Sequence, residues 1–309
     1  MRIVRHAQPG NPDAAIAIGS FDGVHRGHAA ILARVHEDAV SAGRGSAVLT
    51  FEPLPREFFA PGRAPARLTS LAERLALIAP LGIRTAFVER FDAAFAALDA
   101  QTFARRLRTR YGARRVVVGE DFRYGAGRRG DVASLARSGR ELGFEVDIIA
   151  PVRAGAERIS STRVREALAA GDFAEAARLL GRPYAICGRV VHGAKRGRAL
   201  GFPTANVRLA RGKAPLKGIF AVRCHGVATR GLEGVASLGL NPAVQVGGPA
   251  TLEAFLFDFS GELYGRRLSI EFLKKLRDEA HFASLAELAA QIGRDCDAAR
   301  EFFRAGARR

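Results

Sequence analysis

The sequence predicts an α/β half built on a parallel sheet, followed by a β-rich half that ends in one helix. Three observations carry this. Up to Leu180, short apolar runs alternate with helical patterns, as in βα units whose strands lie parallel with helices on both faces. Gly181-Arg182-Pro183 then marks a helix stop. Beyond it come short β-rich runs separated by glycine-rich turns, which read as an antiparallel sheet or a small barrel. A chain of 309 residues also exceeds the usual domain of roughly 100–200 residues. The expected division is residues 1–182 and 183–309.

In chain order, the first half offers apolar strands at 14–18, 45–51, 85–89, 115–119 and 145–149. The first contains the unbroken apolar run Ile16-Ala17-Ile18, as expected of a strand buried on both faces. Helical patterns fall between them at 29–42, 70–81, 102–111 and 131–142, and another covers 164–180. The second half offers strands at 184–191, 218–225, 234–238, 251–258 and 267–272. Residues 284–303 close the chain as one helix, with Leu285, Leu288, Ile292, Cys296 and Ala299 at helical spacing.

Composition excludes several classes. Hydrophobic content of 48 % supports packed cores and argues against disorder. Cys187, Cys224 and Cys296 stand far apart without a CxxC pair, so neither a zinc site nor a disulfide framework is expected, and a reducing cytoplasm is the expected location. The amino terminus lacks the apolar core of a secretory signal. No apolar run approaches the roughly 20 residues that span a bilayer. The net charge of +17 raises nucleic acid as a partner. However, all but five of the 48 basic residues are arginines scattered along the whole chain. That pattern predicts no dedicated nucleic-acid surface.

Two segments carry chemistry in the first half. The run IAIGSFDGVHRGHAAIL, residues 16–32, places Gly19, Gly23 and Gly27 in the turn after the first strand and His25 and His28 where a helix begins. A helix N-terminus offers free N–H groups and a partial positive charge. Glycine permits close approach of a phosphate, and imidazoles at i, i+3 can serve the same oxygens. Ligands of parallel sheets bind beyond the carboxyl ends of the strands, where this turn lies. The second segment is Ile159-Ser160-Ser161-Thr162-Arg163-Val164-Arg165. Ser161 and Thr162 can cap a helix and donate to a phosphate, and Arg165 can clamp its oxygens. Alone, such a string is an ordinary N-cap. The two together are far less expected by chance and point to a phosphate site.

In the second half, Gly193 to Gly201 forms a glycine-rich basic loop with Lys195, Arg196 and Arg198, followed by Phe202-Pro203-Thr204-Ala205-Asn206. It lacks the Walker A spacing. Basic side chains could wrap phosphates, and a threonine hydroxyl with an asparagine carbonyl suits Mg²⁺. From spacing alone, a basic β-turn with a structural Pro-Thr is the plainer reading. Glu253 opens an apolar strand, where it could serve as a general base or simply face solvent.

GSFDGVHRGH and ISSTRVR resemble the HxGH nucleotidyltransferases, and more closely the FMN adenylyltransferase module of bacterial bifunctional riboflavin kinase/FAD synthetases. Phe51-Glu52-Pro53 and the string from Gly119 to Gly125 agree. GRALGFPTAN, the hairpin at 259–265 and Leu276-Arg277-Asp278-Glu279 resemble the riboflavin kinase module. The resemblance implies a Rossmann-like nucleotidyltransferase domain and a small antiparallel β-barrel with a C-terminal helix. It implies His25, His28, Ser161, Thr162 and Arg165 on ATP phosphates, with Gly19, Phe21, Gly27 and Asp121 in the adenylyl-transfer site. It implies Thr204 and Asn206 on Mg²⁺ and phosphates, Glu253 as base, and Gly193, Lys195, Arg198, Gly201 and Pro203 in the nucleotide loop. ATP would be co-substrate, riboflavin and FMN the acceptors, FMN and FAD the products.

Two departures stand out. Ala194 occupies a position that is often acidic in relatives, and ASLGLNPAV at 236–244 replaces the more usual ANIG-x-x-PT. They keep open a single-activity enzyme with a decayed kinase site. A basic nucleic-acid-binding protein on the same fold is the alternative from another class. Oligomeric state is not legible.

Overall fold

The computed structural model describes residues 1–193, 197, 201–210, 213–240 and 250–306. Contacts group them into two units. One comprises Met1–Pro65 with Leu71–Ser160, the other Ala66–Ser70 with Ser161–Arg309.

The first unit runs β1 (Arg2–Val4), β2 (Ala14–Ile18), α1 (Arg26–Ser41), β3 (Gly45–Glu52), α2 (Pro55–Phe59), α3 (Leu71–Ile78), β4 (Thr85–Arg90), α4 (Ala93–Ala96), α5 (Ala100–Thr109) and β5 (Ala113–Gly119). It continues with β6 (Arg123–Tyr124), β7 (Gly130–Asp131), α6 (Val132–Leu142), β8 (Glu145–Ile149), β9 (Arg153–Ala154) and β10 (Glu157–Arg158). The main sheet has the order β1-β4-β3-β2-β5-β8, and every neighbouring pair is parallel. All five predicted strands are present, and β1 is an unpredicted sixth at the edge. The alternation of β2 explains its run of apolar residues. Ile16 and Ile18 join one core layer with Leu49, Leu107 and Val116. Ala15 and Ala17 join the opposite layer with Leu32, Val48 and Ile78. From β2 the chain builds outward through β3 and β4 on one side and through β5 and β8 on the other. The carboxyl end of β2 is therefore the switch point at which such sheets open a crevice.

The second unit holds α7 (Ser161–Ala170), α8 (Phe173–Leu180), β11 (Ala185–Val191), β12 (Ala205–Arg208), β13 (Gly218–His225), β14 (Leu232–Leu240), β15 (Ala250–Leu256), β16 (Arg267–Arg277) and α9 (Leu285–Gly306). The single helix expected over 164–180 is in fact two. Gly171 takes a left-handed φ of 77°, and Asp172 caps the next helix by accepting from the Glu175 N–H. The six strands close into an antiparallel barrel, β11-β12-β15-β14-β13-β16, with β12 as the strand missed from sequence.

The outer face of the barrel carries Ile219, Ala221, Val235 and Phe257, which pack with Cys296, Ala299 and Phe303 of α9. Arg277 at the end of β16 fixes this helix through two bonds to the buried Asp295, at 2.8 and 2.7 Å. Removing one partner of such a pair strands the other charge. Arg277→Met is therefore expected to lower stability by about 3 kcal/mol, read from denaturant unfolding at constant m-value.

Candidate active sites

In the first unit, the turn between β2 and α1 places both histidines at the switch point. His25 is the N-cap of α1, and its Nδ1 accepts from the His28 N–H at 3.3 Å. This satisfies one of the free donors of the first turn. The rings stack with centroids 3.6 Å apart. Gly27 leaves space for this stack, because a Cβ would press on the His25 ring at 3.2 Å. The Phe21 ring meets His28 edge-on at 5.3 Å. Phe21 and Val24 both lie in the left-handed region, with φ of 49° and 43°. Such non-glycine residues cost roughly 1–3 kcal/mol each and cluster at functional sites.

Burial, with the nearby charges of His25, Arg74 and Arg158, holds the His28 imidazole well below its ordinary pKa of 6.5. Its Nδ1 is buried without a hydrogen bond. A neutral ring can accept at one nitrogen and donate at the other. Because protonation is disfavoured in the fold but not in the unfolded chain, the native state loses stability as pH falls through 6.5. The His28 ring signal in an NMR titration is expected to stay flat from pH 8 to about 6.

Around this turn stand the ends of β3 and β5. Gly119 ends β5, and Asp121 follows in the next turn. Its Oδ1 accepts from Arg158 Nη2 at 3.0 Å. This bond holds the Asp121 carboxyl below its usual range. Arg158 escaped the sequence reading although it directly precedes the Ile-Ser-Ser-Thr string. Also missed was an aromatic cluster of Phe51, Phe58, Phe59, Phe91 and Phe95, with neighbouring centroids 5.3 to 5.7 Å apart. Phe59 presents it to solvent at 66 % exposure.

In the second unit, α7 begins at Ser161, so Ser161 and Thr162 occupy its first turn. Arg165 Nε donates to the Ala66 carbonyl at 2.6 Å, and Arg163 pairs with Glu175 at 2.8 Å.

The barrel brings three predicted residues together. Asn206 on β12 and Ser237 on β14 both pair with Glu253 on β15, so the three side chains share one face. Thr204 Oγ1 donates to Glu253 Oε2 at 3.3 Å. Gly201 takes a left-handed φ of 84° just before Phe202-Pro203. Gly193 leaves room for Asn206, since its Cβ would fall inside the asparagine amide. Gly193→Ala is thus expected to displace Asn206 and to cut the chemistry of this barrel face on the order of 10²-fold, read as a loss of turnover in steady-state assays. Glu279 adds a second carboxylate. It lies against Gly239, two residues from Ser237 and on the same face, and burial raises its pKa. Lys195, Arg198, Ala194 and positions 241–244 lie outside the described residues.

A parallel α/β unit with HxGH at its switch point, joined to a closed barrel with a Thr-x-Asn and glutamate face, defines a two-module transferase of phosphoryl and nucleotidyl groups. The profile described as FAD synthetase matches residues 7–163, and that described as riboflavin kinase matches 180–303. The bifunctional riboflavin kinase/FMN adenylyltransferase of Escherichia coli K12 is 47 % identical, over 93 % of this chain and 92 % of that protein. The enzyme of the same name from Pseudomonas fluorescens is 45 % identical over 97 % of each. A crystal structure titled as a macrolide-efflux protein from Streptococcus pneumoniae superposes with a TM-score of 0.78 at 30 % identity, over 96 % of this chain and 97 % of that one. The chain belongs to the bifunctional riboflavin kinase/FMN adenylyltransferase family.

Proposed function

We propose that the family's two reactions are divided between residues 1–182 and residues 183–309 of this chain. The enzyme phosphorylates riboflavin with ATP to give FMN, then adenylylates FMN with a second ATP to give FAD and pyrophosphate. The observation that carries the division is the separation of the two constellations, one at a helix N-terminus of the parallel sheet and one on a barrel face.

In adenylyl transfer, an oxygen of the FMN phosphate attacks the α-phosphorus of ATP, and the bond to the pyrophosphate oxygen breaks. The nucleophile is already ionised at neutral pH, so no strong base is required. His25 and His28, with Ser161, Thr162 and Arg165, stabilise charge on the transferred group and the leaving pyrophosphate. The low pKa of His28 makes it a hydrogen-bond donor rather than an acid. Gly19, Phe21 and Gly27 shape the loop, and Asp121 orients Arg158 beside it. The exposed Phe59 ring supplies a flat π surface suited to a flavin.

In riboflavin phosphorylation, Glu253 takes the proton of the ribityl 5′-hydroxyl as that oxygen attacks the γ-phosphorus, and ADP leaves. Positioning and charge neutralisation dominate such a step. The Thr204 hydroxyl, Asn206 amide oxygen and Glu253 carboxylate form a hard-oxygen set that fits Mg²⁺. Thr204 and Asn206 would hold the ion, which when bound would neutralise charge on the ATP phosphates. The loop from Gly193 to Gly201, with Lys195 and Arg198, would cover those phosphates.

A cytoplasmic location accords with three free cysteines. No helix among the described residues is long and apolar enough to cross a membrane. Incubation with riboflavin, ATP and Mg²⁺ followed by separation of the flavins tests the reading, and absence of both FMN and FAD would refute it.

A further inference from the structure

Arg74 on α3 is the bulkiest fully buried side chain among the described residues, and neither reaction uses it. A guanidinium stays charged and carries five donors, so a core keeps one only where acceptors surround it. Its Nη1 donates to the Ser20 carbonyl at 2.6 Å. Its Nη2 donates to the Phe51 carbonyl at 3.2 Å and to Glu52 Oε2 at 3.3 Å. Ser20 directly follows Gly19 beyond the end of β2, and Phe51 and Glu52 end β3. One side chain thus ties together the carboxyl ends of two neighbouring parallel strands at the switch point.

The chain that leaves Ser20 enters the left-handed Phe21, whose ring packs on His28. It then passes the left-handed Val24 to reach the cap at His25. Conformations of this kind persist only where the surroundings over-determine them, and the Ser20 carbonyl is the anchored point just before the first. We propose that Arg74 is a positioning residue for adenylyl transfer, which sets the HxGH loop against the end of β3 through Ser20 and Phe21 and keeps a permanent cation behind His28. This rests on the reading of the HxGH turn as the transfer site.

A second observation agrees. Three charged or titratable groups act on the His28 ring: His25 stacked on it, Arg74 from α3 and Arg158 from β10. Of the two arginines, Arg74 is fully buried while the Arg158 side chain is 43 % exposed. The buried charge is the less screened by solvent.

The test uses the full chain with R74K, R74M and H28A, and measures both activities, thermal unfolding and the pH profile of FAD formation. R74M is expected to lower kcat for FAD formation from FMN on the order of 10²-fold with little change in KM for ATP. Its acid limb should move to higher pH, because one of the charges that disfavour protonation of His28 is gone while burial still holds the ring below its ordinary pKa. R74K keeps the charge and loses the fork, so it should recover part of kcat with the limb in place. Riboflavin phosphorylation should stay unchanged in both. Wild-type kcat and an unshifted limb in R74M, with H28A inactive, would overturn the proposal and spare the site assignment. Equal loss in both variants with lowered melting would reduce Arg74 to a structural role and overturn it as well. If R74M does not fold, unchanged kcat in R74K overturns it alone. Full activity in H28A would refute the site assignment itself.

Discussion

His28→Ala is expected to lower FAD formation from FMN by about 10²–10³-fold and to leave riboflavin phosphorylation at its wild-type rate. The imidazole is held neutral, so its contribution is a fixed donor at a helix start. Removing one such preorganised donor from a site that stabilises developing charge typically has an effect of this size. The loss should fall on kcat and on kcat/KM together, as for an interaction made only in the transition state. His25 differs in that it also caps α1. His25→Ala should therefore add a loss of stability, and His28→Ala is the cleaner probe. Initial rates with supplied FMN, next to initial rates with riboflavin, check this directly.

Glu253→Gln is expected to do the reverse. The amide keeps the shape of the side chain and can still accept from Thr204, but it cannot take the proton of the ribityl hydroxyl. Loss of a general base typically lowers turnover by about 10²–10⁴-fold. FMN formation should fall by that factor, while FAD formation from supplied FMN continues. Strand pairing supports the clean separation expected. Glu253 lies between Asn206 and Ser237 in register, and the substitution leaves the ladder intact. A variant that lost both activities without unfolding would contradict the assignment of the two halves.

The parts of this molecule that were legible in the sequence share one property, which is that a local pattern decided them. The strand at β2 is apolar throughout because both of its faces are buried. The helix at α1 begins where a histidine can cap it, and the last helix repeats apolar residues onto the barrel. What escaped depends on non-local partners. The strand β12 has only four residues and follows Pro203-Thr204, so it reads as a turn. Its identity comes from β11 and β15 on either side. The edge strand β1 has three residues and is defined by pairing with β4. The helix expected at 164–180 broke because Gly171 and the Asp172 cap outweigh the continuous apolar spacing.

The sites divide in the same way. His25, His28, Thr204, Asn206 and Glu253 announce themselves by spacing and by family likeness, and the barrel brings the last three onto one face. Arg158 and Asp121 meet only through the fold. Arg74 did leave a signal. In Leu71-Ala72-Glu73-Arg74-Leu75-Ala76-Leu77-Ile78 it stands three residues after Leu71 and four before Ile78, on the apolar face of a helix. An arginine there is either misplaced or buried with built acceptors, and the structure has the acceptors.

The division of labour is tested most directly by mixing the two inactivated variants. H28A and E253Q are incubated together with riboflavin, ATP and Mg²⁺, and the flavins are then separated. Each variant alone should fail to make FAD, E253Q leaving riboflavin unconverted and H28A stopping at FMN. Together they should make FAD, because FMN released by one is adenylylated by the other. A mixture that accumulates FMN and forms no FAD, while E253Q alone still converts supplied FMN, would not fit two independent sites exchanging free FMN. Failure of E253Q to convert supplied FMN would contradict the two-site account outright.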